Sequence, residues 1–133
     1  KQYPLSQIHG NGKTILMHSI KTKRIYEPPM ADDGYRMLVD RLWPRGVKKA
    51  EACLNEWNRD VAPSPSLRKW FGHDPDKFEE FSIRYSRELD GKQEELQRLR
   101  RLAGKTRLCL LYAARDEVCH AQVLAKKLMN KVL

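Results

Sequence analysis

The run Leu108-Cys109-Leu110-Leu111-Tyr112-Ala113 is the most apolar stretch of the chain and constrains the fold most. Strand side chains alternate between the two faces of a sheet, so a strand with one wet face shows alternating polarity. This run shows none, which places it in a sheet interior with both faces covered, as in the parallel sheets of α/β proteins. Ala114-Arg115-Asp116 then turns the chain into a C-terminal helix with Ala121, Leu124/Ala125, Leu128 and Val132 on its apolar side.

Two further strands are expected. Ile20 to Tyr26 mixes β-branched residues with lysines in near alternation and stops at Glu27-Pro28-Pro29. Tyr35 to Arg41 follows Asp32-Asp33-Gly34, with Leu38 and Asp40 on one face and Met37, Val39 and Arg41 on the other. A buried Asp40 needs a partner such as a backbone N–H or an arginine.

The spacing of Ala50, Cys53/Leu54, Trp57 and Val61 predicts a helix over 48–61, with Cys53 packed in the core. Ser64-Pro65 and Asp74-Pro75 each read as an N-cap followed by a proline at the first helical position. Gly72 closes the first of these helices. The second carries Phe78, Phe81, Tyr85 and Leu89 inward and ends at Asp90-Gly91. Another helix follows to Gly104, with Leu96, Leu99 and Leu102/Ala103 inward and Arg98, Arg100 and Arg101 mostly outward. Strand, helices, strand, helix predicts a small single-domain layered α/β fold whose mainly parallel sheet is covered by helices. Residues 17–133 are expected to form that domain. Residues 1–16 read as an N-terminal extension or expression scar.

The chain of 133 residues is long enough for a core without disulfides. Three cysteines, without CxxC pairing, suggest neither a disulfide framework nor a four-cysteine zinc site. Without a signal-peptide core or membrane span, the expected protein is soluble and cytoplasmic. An excess of 26 Lys+Arg over 17 Asp+Glu gives a net charge of +9, which attracts phosphates and nucleic acid but also suits many basic domains with no such role. There is no Walker loop, GxGxxG, GxSxG or HExxH, so nucleoside triphosphate hydrolysis, dinucleotide redox and serine-hydrolase chemistry are disfavoured. No metal site is expected, and no cofactor is specified.

Chemistry is expected where strands end. If the strands finishing near Arg41 and Tyr112 are parallel neighbours, their turns share the carboxyl edge of the sheet. Arg41 and Arg45 offer forked donors to an anion and Trp43 a flat surface for a ring. Arg115 lies beside the N-terminus of the last helix. Alternatively Trp43 packs the core and the arginines pair with Asp40, Asp116 or Glu117. For acid–base work the candidates are His73, Asp116 and His120, with Tyr112 as a donor. Asp116 also suits a helix cap. Cys119 lacks the phosphate-cradling loop and arginine of a cysteine phosphatase.

The blocks Asp33-Gly34-Tyr35-Arg36, Leu38-Val39-Asp40-Arg41-Leu42-Trp43-Pro44-Arg45-Gly46, Leu67-Arg68-Lys69-Trp70-Phe71-Gly72-His73-Asp74-Pro75 and Leu111-Tyr112-Ala113-Ala114-Arg115-Asp116 closely resemble the domain of unknown function 488 family, in its short YeaO-like branch. The likeness runs from about Ile20 to Leu128. It implies a compact α/β domain and no established reaction. The matching signature residues are Arg41, Trp43, Arg45, His73, Tyr112, Arg115 and Asp116. The branch usually carries a His-Asn pair after Arg-Asp, whereas this chain has Glu117-Val118-Cys119-His120, one position late. A shift of one residue rotates a helical side chain by about 100°. The expected function is therefore binding of an anionic ligand, a nucleotide or phosphorylated metabolite, by Arg41, Trp43, Arg45, Tyr112 and Arg115, with His73 or Asp116 as proton carrier. The competing expectations are a nucleic-acid-binding module acting through its basic surface and an interaction protein whose arginines only hold its loops.

Overall fold

A computed structural model describes residues 20–115 and 119–130. Its elements in chain order are β1 (Ile20–Arg24), β2 (Tyr35–Leu38), α1 (Lys49–Ala52), β3 (Glu56–Trp57), α2 (Pro65–Phe71), α3 (Phe78–Asp90), α4 (Gln93–Lys105), β4 (Leu108–Tyr112) and α5 (His120–Met129). The four strands form one parallel sheet in the order β1-β4-β2-β3. All five residues of β4 are buried, as its unbroken apolar run requires.

The two faces of the sheet are covered differently. Met37, Val39, Leu108, Leu110 and Tyr112 point into a core shared with α2, α3, α4 and α5. Ile25, Leu38, Cys109 and Leu111 point the other way, under α1 and loop residues including Trp43, Val47 and Leu54. Helices thus form one layer, and the opposite face has a thin cover. On that thin side Asp33 is fully buried and pairs with Lys21, Lys23 and Arg36. Burial disfavours its charge, but the donors from Lys21, Lys23, the Met30 backbone and Arg36 hold it well below the usual carboxylate range.

The expected caps are present. Ser64 Oγ accepts the Leu67 N–H with Pro65 at the first helical position, and Gly72 closes α2 in the left-handed region. Asp74 accepts the Asp76 N–H at the start of a 3-10 turn leading into α3. The helix expected over 48–61 is not formed: α1 stops after Ala52, Cys53 turns left-handed with φ 52°, and Glu56–Trp57 pairs with β2 as an edge strand. Arg36 causes this stop, because its guanidinium donates to the carbonyls of Ala52 and Cys53. Cys53 is consequently exposed, not part of the core. β2 ends at Leu38 rather than Arg41, although the Val39 N–H still donates to Leu111 O. The segment 1–16, Asp116, Glu117 and Val132 lie outside the described residues. No helix among the described residues is long and apolar enough to cross a membrane.

Candidate ligand-binding cleft

Because β2 and β4 are parallel neighbours, the turns that follow them meet at one edge of the sheet. Asp40 joins them. Its Oδ2 accepts the Ala113 N–H at 3.0 Å, and its backbone carbonyl accepts the Trp57 indole N–H at 2.7 Å. Its other oxygen, Oδ1, lies 3.0 Å from His120 Nε2 at the start of α5. That same nitrogen is 3.1 Å from Val39 O, and the ring N–H is directed at this carbonyl. Oδ1 therefore acts on the imidazole chiefly through its charge, as no well-aligned donor reaches it. Burial works against the imidazolium, yet Asp40 and the neighbouring Cys119 raise its pKa from 6.5 to about 9. His120 is thus cationic at neutral pH, held between two strand ends.

A cleft of about 110 Å³ opens beside this pair. Arg41, Arg68, His73 and His120 line it together with Asp40, so among the described residues the two arginines and the imidazolium face one carboxylate. Its apolar walls come from Leu42, Ala62, Pro63, Phe71, Phe81 and Ala114. Phe71 and Phe81 stack with their centroids 4.2 Å apart and fix the floor against the main core. Arg41 is partly committed: its Nε and Nη2 donate to the carbonyls of Ala62 and Pro63 at 3.2–3.3 Å. Arg68 is exposed on α2, and its side chain has no partner among the described residues. His73 has φ 59°, a left-handed conformation rare for a residue with a Cβ though favoured by histidine over most others.

Of the residues expected at the site from the sequence, the structure brings Arg41 and His73 together in this cleft. Trp43 lies elsewhere: its indole donates to Val47 O, and its ring packs edge-on against Trp57 under the thin face of the sheet. Tyr112 is 3% exposed and belongs to the main core. Arg45 is exposed, and its backbone carbonyl accepts the Tyr26 hydroxyl. Arg115 is also exposed, and neither it nor Arg45 lines the cleft. Asp116 lies outside the described residues. Arg24 adds an arginine with a holding role, donating to the carbonyls of Ala113 and Ala114.

Two contributors stood outside the expected binding set. Arg68 carries no local signal of its own in the sequence, and only the fold brings it into the cleft with Arg41 and His73. His120 is visible in the sequence as an acid–base candidate, but its pairing with Asp40 spans 80 positions. No group of three or more potential metal ligands occurs among the described residues.

A parallel four-stranded sheet with one helical layer and a cationic cleft at its carboxyl edge defines a small α/β domain of the kind that places ligands at strand ends. The chain belongs to the DUF488 family: the model described as "Inactive DUF488-N3 subclade" matches residues 19–133. It is 44% identical over 108 residues to the uncharacterised protein YeaO of Escherichia coli K12, covering 80% of this chain and 94% of YeaO. It is 42% identical over 113 residues to the uncharacterised protein Rv3073c of Mycobacterium tuberculosis H37Rv, covering 84% of this chain and 95% of that protein. The uncharacterised protein Mb3100c of Mycobacterium bovis is similar to the same degree. No solved structure matches the chain significantly.

Proposed function

We propose that this protein binds a small anionic ligand in the cleft at the carboxyl ends of β2 and β4, without turning it over. The observation that carries the reading is the charge balance there: among the described residues, Arg41, Arg68 and a protonated His120 surround one carboxylate, Asp40. Cations gathered at one strand edge repel one another unless an anion joins them. The adjoining left-handed His73 is the kind of unfavourable backbone conformation that concentrates at ligand sites. His73 is also the group that would carry a proton if the ligand reacted. The description of the family's subclade as inactive supports binding alone.

Thermal shift and calorimetry against inorganic phosphate, sulfate, simple carboxylates and nucleoside monophosphates test this. A ligand that binds only the native state raises its melting temperature. Binding should weaken about tenfold or more in Arg68→Ala, since a hydrogen bond to a charged group contributes about 1.5–3 kcal/mol. His73→Gly should weaken binding while leaving the fold equally or more stable, because glycine tolerates φ 59°. If no anion binds wild type, or Arg68→Ala binds unchanged, the reading is wrong. If only oligonucleotides bind, with a steep salt dependence, the basic surface and not the cleft is the functional element.

A further inference from the structure

Resting on that reading of the cleft, we infer that its ligand is a carboxylate monoanion with a compact apolar body, about the size of benzoate, and not a nucleotide or sugar phosphate. The lining of the cleft, its volume and the commitments of its cations each point to this class.

Volume comes first. About 110 Å³ is small for a ligand site. Sites for drug-sized molecules usually run to about 300–1,000 Å³. A phosphate group would enter this cleft, but the sugar and base attached to it would remain outside. Trp43, the ring surface expected for a base, lies on the other face of the sheet and is held there by Val47 and Trp57.

The charges reduce to one wholly uncommitted fork, with Arg41 Nη1 and the His73 ring beside it. The positive charge of His120 is matched by Asp40 at 3.0 Å, and its Nε2 already faces Val39 O. Arg41 spends Nε and Nη2 on the Ala62 and Pro63 carbonyls. Arg68 is left with its full planar set of donors, and such a fork matches the two oxygens of one carboxylate. A phosphate dianion would bring a second negative charge beside Asp40, which a carboxylate monoanion avoids.

Apart from His73 and Cys119, the remaining lining among the described residues is apolar. Phe71, Phe81, Pro63 and Ala114 offer nothing to a bare hydrated anion, whereas each stabilises a hydrocarbon body brought against it. Leu42 borders the cleft while remaining 57% exposed, so an apolar ligand would cover a side chain that otherwise faces water.

Isothermal titration calorimetry with benzoate, inorganic phosphate, AMP and the neutral isostere benzamide decides the matter, using wild type, Arg68→Ala and Leu42→Ser. Both substituted residues are exposed, so the variants should fold, and circular dichroism melts verify this. Benzoate should bind at least about tenfold more tightly than phosphate, AMP or benzamide, and lose about tenfold in Arg68→Ala. Leu42→Ser should weaken benzoate about three- to tenfold through lost apolar contact, leaving any phosphate binding unchanged. If phosphate or AMP binds as well as benzoate through Arg68, the carboxylate inference fails and the anion cleft stands. Benzoate affinity that Arg68→Ala leaves unchanged overturns the inference, and silence from every anion overturns the inference and the anion cleft together.

Discussion

At the scale of single residues, Asp40 and His120 show how a short polar side chain at a strand end can organise a fold. Asp40 Oδ2 extends the ladder by accepting Ala113 N–H, in place of the backbone partner that β2 no longer supplies. Together with Cys119, its negative charge then outweighs the burial of His120 and keeps the imidazole protonated. Asp40→Asn would keep an acceptor for Ala113 but remove the charge. Burial would then be opposed by Cys119 alone, so the His120 midpoint should fall well below its wild-type value of about 9. NMR titration of the imidazole carbons reads this directly. An Asp40→Asn midpoint still near that of wild type would mean that the carboxylate does not set the charge of His120.

The secondary elements differ in how far they could be read from the sequence, and the range of the interactions explains why. Caps are local chemistry. Ser64 and Asp74 sit within three residues of the N–H groups they accept, so a proline following a Ser or Asp announces both helix starts. The unbroken apolar run of β4 likewise announces its central place, and with it the sheet edge where Arg41 and His73 lie. The segment 48–61 misleads because its helical spacing competes with a guanidinium arriving from β2. Arg36 takes the Ala52 and Cys53 carbonyls, and its backbone exchanges hydrogen bonds with Asn55, so the chain unwinds and pairs as β3. Arg68 and the pairing of His120 escaped for the same reason, as each depends on packing between elements distant in sequence. For α2 the local signal can be tested alone. Ser64 Oγ accepts Leu67 N–H at 3.2 Å and donates to Glu88 Oε2 at 2.6 Å, joining the start of α2 to α3. Ser64→Ala should destabilise the protein by about 1–2 kcal/mol in urea unfolding, the upper half reflecting the lost tie to Glu88.

For the whole molecule, the unequal covers of the sheet predict an unequal response to pH at its two ends. On the thin side, Asp33 is held by Lys21, Lys23 and Arg36, and its folded pKa is depressed below its ordinary 3.8. Its contribution is present above about pH 4 and is lost as the pH falls toward the folded value. At the helical side, His120 has its pKa raised from 6.5 to about 9, so its contribution is complete below pH 6.5 and lost as the pH rises through 9. That shift corresponds to something on the order of 3 kcal/mol. Cys109, lying between the layers, reinforces the alkaline loss. Burial raises its thiol from 9.0 to about 11, so unfolding is favoured once the released thiol can ionise. Stability measured by urea unfolding at constant ionic strength should therefore be greatest between about pH 4.5 and 6.5, declining on both sides. Asp33→Asn should lower that maximum by about 3–5 kcal/mol, because Lys23 and Arg36 would remain buried without their counter-charge. It should also flatten the acid limb while leaving the decline above pH 6.5 intact. A wild-type stability that keeps rising between pH 6.5 and 9 would mean that His120 is neutral in the native state, and the cationic cleft would lose one of its three charges.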